Sequence, residues 1–394
     1  MCPQTEVGSI LRGLGERIES IGLNRFQLRT LSALRSCRTA ELGGHVDACS
    51  DCGTLRVSYN SCRNRHCPKC QGNRREKWIE ARNSELLPVP YFHVVFTLPE
   101  ELNPLCMRHP KELYGFLFKS TWETLRVFAL KKGIQTGMIS VLHTWGQNLH
   151  LHPHLHCIVP GGGIHITGKW NNIRPGGKYL FPVKALSKVF RAKYVSHLRK
   201  SGLSSEETIA SLFSKSWVVY AKRPFAHPSH VVEYLGRYTH KVAISNSRII
   251  AYEDNCVRFS AKDYRHEGHK KVIELKDTEF IRRFALHILP SGFVRIRHYG
   301  FLSSTAKKKT IPHIRGQFAQ KEICFIDMRK TRPFDPKICP CRARNENLVI
   351  VCRFFNRSFP YSLSCLTSEI LRKLRKSFGK TSEIQLCQRY KYFD

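Results

Sequence analysis

Apolar residues recur at helical spacing through the first 36 positions, at Ile10, Leu14 and Ile18 and again at Leu28, Leu31 and Leu34, with Gly22 and Asn24 between the two runs. Side chains three and four apart share one face of a helix, so this stretch reads as a short helical lead-in. Over residues 37–70 the apolar positions thin out, and Cys, His, Gly and Arg dominate. A unit with so little apolar surface cannot build a core unaided. Further on, compact β-branched and aromatic runs predict strands over 91–98, 138–145 and 151–159, the last closed by Pro160 and three glycines. Helical spacing predicts helices over 111–132, 184–200 and 278–289, and another opening near Pro228 and Ser229. Strands are expected over 217–221, 271–276 and 292–299, and a hairpin over 248–252 and 256–260 joined by Glu253, Asp254 and Asn255. Strands with helices interspersed irregularly predict an α+β fold with a mixed or antiparallel sheet.

The chain has 394 residues, enough for two or three globular units. An apolar content of 42% with 11% aromatics excludes low-complexity disorder, and no uncharged apolar run is long enough to span a bilayer. The first residues lack a basic region followed by an apolar block, so no secretory signal is expected and the protein is read as soluble and intracellular. Charge changes the picture most. Lys and Arg number 65 against 30 Asp and Glu, a formal net charge of +35. Such an excess neutralises and steers a polyanion, which makes nucleic acid the natural partner. Disulfides do not persist inside cells, so the 16 cysteines point to metal binding instead.

Cys49-Ser-Asp-Cys52 and Cys67-Pro-Lys-Cys70 form two Cys-X-X-Cys knuckles separated by 14 residues. Two knuckles joined by a loop bring four thiolates onto one tetrahedral Zn²⁺. Cys37, His45, Cys62 and His66 are also ligand types and leave a second zinc open. Arg63 and Arg65 lie between the ligands, and Arg74 and Arg75 follow them. A metal here would therefore hold a basic surface, either as a plain stabilising clip or as a reader of DNA ends.

His150, His152, His154 and His156 alternate along one expected strand. Alternate residues share a face, so His152, His154 and His156 point one way while Leu155, Cys157 and Val159 point the other. Imidazoles aimed into one small volume are costly unless they bind something, and a site without thiolates suits a catalytic divalent cation. Downstream, Tyr234 and Tyr238 stack four apart on a helix, beside the stripe of Val231, Leu235 and Val242. Alone, such a pair reads as packing. Beside a histidine metal site and an excess of positive charge, it reads as two nucleophiles for phosphate, with Arg237, Lys241 and Arg248 close enough in sequence to bind flanking phosphates.

The residues CRTAELGGHV from Cys37, SCRNRHCPKCQ from Ser61, YFHVVFTLPEEL from Tyr91, HLHPHLHCIVPGGG from His150, YLGRYTHKVAISNSRI from Tyr234 and FIRRFALHILPSGFVRIRHYGFL from Phe280 carry a resemblance. Over roughly residues 30–330 the chain resembles the bacterial rolling-circle insertion-sequence transposases of the HUH endonuclease superfamily. The resemblance implies a small N-terminal zinc-binding domain and a nuclease domain with a central antiparallel sheet flanked by helices. It implies that His154 and His156 hold Mg²⁺ or Mn²⁺ with a third ligand, for which Gln147 and His152 are the candidates. It further implies that Tyr234 and Tyr238 cleave single-stranded DNA at transposon ends, keeping the 5′ phosphate and freeing a 3′ hydroxyl. A bacterial cytoplasmic, nucleoid-associated location follows, while the oligomeric state stays open.

The expected organisation is a lead-in over 1–36, a zinc-binding domain over 37–80, a catalytic domain over 88–330 and a basic tail over 331–394. The resemblance departs in that tail. Relatives tend to carry another Cys-X-X-Cys pair after a segment like FDPKICP, whereas here Cys339-Pro-Cys341 runs into an untypical sequence that reads as a diverged end. Two other functions share part of the pattern. A replication initiator or relaxase-like nickase uses the same chemistry, and a non-catalytic zinc-containing DNA-binding regulator would need neither the histidine strand nor the tyrosines.

Overall fold

A computed structural model describes residues 5–49, 52, 55–173, 180–222, 225, 230–231, 234, 236, 241–263, 268–318, 339 and 348–354. The lead-in forms helices α1 (Val7–Leu14) and α2 (Arg25–Arg35) with a 3-10 turn over Gly15–Ile21 between them. Asn24 starts α2 with a reciprocal cap: its Oδ1 accepts from Gln27 N at 2.9 Å and its own N–H donates to Gln27 Oε1 at 3.0 Å. The cysteine-rich stretch contains a hairpin, β1 (Gly44–Cys49) and β2 (Leu55–Tyr59), followed by helix α3 (Gln71–Asn83).

The central sheet has the order β13-β5-β6-β3-β9, with every pairing antiparallel. Its strands are β3 (Tyr91–Thr97), β5 (Gly137–Trp145), β6 (Leu151–Pro160), β9 (Val219–Ala221) and β13 (Ile296–Gly300). Between β3 and β5 come helices α4 (Asn103–Arg108) and α5 (Pro110–Leu130). Between β6 and β9 come α6 (Val183–Ser201) and α7 (Glu206–Ser214). The small strands β4 (Ile134–Gln135), β7 (Gly162–His165) and β8 (Trp170–Asn172) form a side sheet. Backbone closeness there demands glycine: a Cβ on Gly163 would sit 2.4 Å from the Gln135 carbonyl oxygen.

Alternation splits the central sheet into two faces. Phe92, Val94 and Phe96 of β3, Leu142 of β5, and Leu155, Cys157 and Val159 of β6 meet α5 and α6 in the largest core, together with Leu117, Phe118, Phe190 and Tyr194. Tyr91, Val141 and Ile158 face the other way, into a second core with Val231, Phe301 and the helix α9 (Lys307–Gly316). Burial of both faces explains why β3 and β6 read as near-continuous apolar runs, and the histidines are the exceptions.

A third sheet, β10 (Ile249–Glu253), β11 (Cys256–Asp263) and β12 (His269–Lys276), leads into helix α8 (Asp277–Ala285). Its hairpin turns at Asp254 and Asn255, both at positive φ (49° and 59°), the conformation that two-residue hairpin loops require. Ile249, Val257, Phe259, Phe280 and Phe284 pack against Ile10, Leu11, Leu14, Leu31 and Cys37. The lead-in thus shares a core with residues some 240 positions later, across the expected division between residues 1–36 and 88–330. Arg17 fastens the same contact, donating to both carboxylate oxygens of buried Asp277 at 3.2 and 2.8 Å.

Two expected elements are shorter than the sequence predicts. The helix expected to Leu289 stops at Ala285, and the strand expected from Gly292 begins only at Ile296. Between them the Arg65 guanidinium donates to the carbonyls of Leu289, Pro290 and Phe293, which takes those groups out of any helix or ladder. Residues expected in the tail also return: β14 (Leu348–Phe354) pairs antiparallel with β1, giving the sheet order β14-β1-β2.

Candidate metal centres

The hairpin β5–β6 builds the first centre. His143 lies directly opposite His154 in the register, and His156 is one same-face position further along β6. The donor nitrogens of His143, His154 and His156 all lie within 4.8 Å of one another. His143 and His156 are buried. Burial holds His154 down to about 4 and, with His143 nearby, holds His156 well below the ordinary imidazole range. Neutral imidazoles, as His154 and His156 are, bind a metal without first losing protons.

The surroundings set the tautomers. His154 Nδ1–H donates to the His152 carbonyl at 2.6 Å, leaving its Nε2 lone pair free to ligate. His156 Nδ1 lies 2.9 Å from His93 Nε2, so an Nδ1–H donated to His93 leaves His156 Nε2 with its lone pair. Trp145 stacks on His143 with centroids 4.5 Å apart. The connecting loop is pinned by Leu149, which has φ 62° and inserts fully into the lead-in core, while buried His287 faces the Leu149 carbonyl through Nε2 at 3.1 Å. Oxygen-poor, nitrogen-rich donors of this kind fit a divalent cation that keeps open positions.

The two third-ligand candidates fall elsewhere. Gln147 is in the loop, where its Oε1 accepts from Lys262 N at 3.5 Å. His152 is exposed at the strand entrance with its ring 5.1 Å from His154, and it is not within the cluster. His143, which the sequence reading passed over, completes it. A lone histidine in an apolar strand carries no spacing signal, and only the cross-strand register reveals it.

Tyr234 is helical and reaches the same sheet face: its ring meets the edge of His93 at 5.0 Å, and the Lys222 ammonium lies 5.4 Å from its centre. Tyr238, Arg237 and the side chains of Arg74 and Arg75 lie outside the described residues. Lys241 is near enough to contribute to the lowering of His156, and burial lowers Lys241 itself. Its carbonyl accepts from Arg295 at 3.0 Å. Lys222 is a further positive group beside the centre that the sequence did not single out. Arg248 is turned inward, donating to the carbonyls of Gln147 and Ser260.

The cysteines regroup. Cys67 and Cys70 join Cys37 and Cys62, not Cys49 and Cys52. The Cys37–Cys67 and Cys37–Cys70 sulfurs are 3.5 Å apart, and Cys62–Cys70 3.7 Å. A tetrahedral zinc with Zn–S bonds of about 2.3 Å requires S–S edges of about 3.8 Å, so the four fit one ion closely. Hydrogen bonds from Cys62 and Cys67 pull the Cys37 thiol down to about 2, while the same hydrogen bonds, with burial, push those two thiols up. Four such thiols can ionise together only around a cation. The physical reason for the regrouping is position: Cys37 ends α2 and Cys67 enters the lead-in core, whereas Cys49 and Cys52 are carried off on the β1–β2 turn, where they meet Cys339. His45 pairs with Asp47 at 3.5 Å, and buried His66 accepts from Arg65 at 3.3 Å; neither belongs to a cysteine group. Arg63 is exposed at φ 53°.

Known proteins are similar in sequence to this chain over the segments that carry both centres. A family model described as "Transposase zinc-binding domain" matches residues 11–98, and one described as "Putative transposase" matches residues 137–310. A protein of Sinorhizobium fredii (strain NBRC 101917 / NGR234), "Putative transposase y4qJ", is 46% identical over 333 residues, covering 79% of this chain and 83% of its own length. The "Transposase for insertion sequence element IS801" of Pseudomonas savastanoi pv. phaseolicola is 28% identical over 316 residues, covering 75% of each chain. No solved structure matches. Among the described residues no helix is long and apolar enough to cross a membrane. With a thiolate cluster inside the first matched span and the histidine centre inside the second, the chain belongs to the insertion-sequence transposases that carry this zinc-binding domain.

Proposed function

We propose that this transposase cuts single-stranded DNA at the ends of its element, with Tyr234 or Tyr238 attacking a backbone phosphate. The observation that supports it is the grouping of His143, His154 and His156 on the sheet face that Tyr234 also reaches. In the reaction the tyrosine oxygen bonds phosphorus and the bond to the 3′ oxygen breaks. The phenolic proton passes to solvent, and the departing oxygen takes up a proton to become a free 3′ hydroxyl. The 5′ phosphate stays on tyrosine, so the bond energy is kept for rejoining instead of being lost to water.

A tyrosine near its ordinary pKa of about 10 is a weak nucleophile. Mg²⁺ or Mn²⁺ held by the three histidines would draw charge from the scissile phosphate. Lys222 and Lys241 supply positive charge beside it. In this reading residues 88–330 are the nuclease part. Residues 37–80 hold structural zinc on Cys37, Cys62, Cys67 and Cys70, with exposed Arg63 as a contact to the transposon ends and Arg74 and Arg75 as further sequence candidates. Arg65 and Arg248 are left out of the DNA surface because their guanidinium groups are taken up by backbone carbonyls.

The test is a denaturing gel of protein incubated with labelled single-stranded element ends and Mg²⁺. A covalent adduct is expected, lost in a Tyr234→Phe, Tyr238→Phe double variant and on chelation. An adduct that survives the double variant, or no adduct with authentic ends, overturns the reading.

A further inference from the structure

Cys49, Cys52 and Cys339 are left over once the tetrathiolate cluster is assigned. Their sulfurs lie within 4.8 Å of one another, with Cys52 and Cys339 3.7 Å apart. That spacing is far beyond the roughly 2.05 Å of a disulfide and close to the edge of a zinc-thiolate tetrahedron, about 3.8 Å. Cys339 lies outside both matched spans, 287 residues from Cys52, and is buried, 4% exposed. Chance rarely brings three thiols together across such a distance in sequence.

The sheet geometry supplies an independent reason for the meeting. Strand β14 pairs along the whole of β1, from Gly44 opposite Phe354 to Cys49 opposite Leu348. The start of β14 is therefore the end that lies beside Cys49, and Cys339 precedes it by nine positions. Without β14, β1 and β2 are an isolated hairpin, which is marginal in water. Ordering the returning strand costs about 1–2 kcal/mol of backbone entropy per residue, which a few ladder hydrogen bonds offset poorly.

We propose that Cys49, Cys52 and Cys339 bind a second zinc ion that staples the returning chain to the N-terminal sheet. Soft thiolates select zinc among the abundant divalent ions. Three thiolates leave one tetrahedral position, to be filled by solvent or by a further donor. The site makes residues beyond the second matched span part of the zinc-binding unit, so that the end of the chain is needed to finish a structure begun at its start.

Two measurements on the full-length protein test this. The first is the zinc content of purified chain: about two ions per chain are expected for the parent and about one for Cys339→Ser or Cys52→Ser. A parent holding a single zinc, or an unchanged content in both variants, overturns the proposal. The second needs no variant. Cys52 is exposed, so a free thiol there would react at once with iodoacetamide. Mass spectrometry should find Cys52 protected in the zinc-loaded protein and alkylated at least about tenfold faster after chelation. Equal rates before and after chelation would refute the site.

Discussion

His93 Nε2 sits 2.9 Å from His156 Nδ1, and the edge of the same His93 ring meets Tyr234 at 5.0 Å between centroids. One side chain from β3 thus touches both a candidate metal ligand and a candidate nucleophile. Partners that hold the second nitrogen of a ligating histidine fix its tautomer and aim, and their loss typically lowers metal affinity about 10- to 100-fold. His93→Leu is therefore expected to weaken Mn²⁺ binding by that order while the protein stays folded, and His93→Gln, which keeps a polar atom near the same place, to weaken it less. Calorimetric titration of Mn²⁺ into DNA-free protein measures both, and equal affinities in parent and His93→Leu would remove His93 from the site.

His143 and Gln147 make opposing predictions. His143→Ala deletes one of three clustered nitrogens and should abolish both Mn²⁺ binding and the DNA adduct. Gln147→Ala removes a side chain whose Oε1 accepts a long backbone hydrogen bond from Lys262 at 3.5 Å. It should leave Mn²⁺ affinity within about threefold of the parent, since an exposed loop contact of this kind contributes little. The reverse pattern would return Gln147 to the role that its sequence position suggested.

Sequence reading succeeds here where a signal is local. Alternating histidines fix one face of β6, and the pair of Cys-X-X-Cys knuckles announces thiolate metal sites. Partners set by register or by return of the chain do not show: His143 is identified only by standing opposite His154, and the knuckles divide because Cys37, Cys62 and Cys339 compete for them. The hairpin β1–β2 does carry a local signal, since LRVSY in β2 alternates apolar and polar residues, but its third strand β14 returns from far along the chain. The three inner strands β3, β5 and β6 are legible because their apolar runs satisfy two cores at once.

Acid should destabilise the fold through histidines buried neutral. His287, 3% exposed, is pushed down to about 4 by burial, and His298 likewise to about 4. In the unfolded chain both protonate near 6.5. Between those values the unfolded state binds more protons, so stability is full above about 6.5 and falls as pH drops toward 4, by at most about 1.4 kcal/mol per unit for each group. For His287 protonation also removes the Nδ1 lone pair facing Thr144 Oγ1 at 3.1 Å. The thermal midpoint at pH 5 should lie below that at pH 7, and His287→Gln should reduce the difference. A midpoint independent of pH over this range would contradict the assignment.

Arg63 and Arg65 are two residues apart in a basic stretch, and the structure gives them different work. Arg63 is exposed, and Arg65 bridges the cysteine unit to the turn before β13 through three backbone carbonyls. Hydrogen bonds from a charged donor contribute about 1.5–3 kcal/mol each, and removing the guanidinium leaves those partly buried carbonyls without it. Arg65→Ala should lower the unfolding free energy by roughly 2–4 kcal/mol, discounted from the sum because water re-enters and the site relaxes. Arg63→Ala should leave stability within about 0.5 kcal/mol, as for a surface change. If the proposed DNA surface includes Arg63, its loss weakens single-strand binding and reduces the slope of log affinity against log salt by about 0.7, one phosphate contact fewer. Arg65→Ala, compared at a temperature where both variants are folded, should leave that slope unchanged. Identical salt slopes for Arg63→Ala and the parent would exclude Arg63 from phosphate contact, and a reduced slope for folded Arg65→Ala would return Arg65 to the DNA surface.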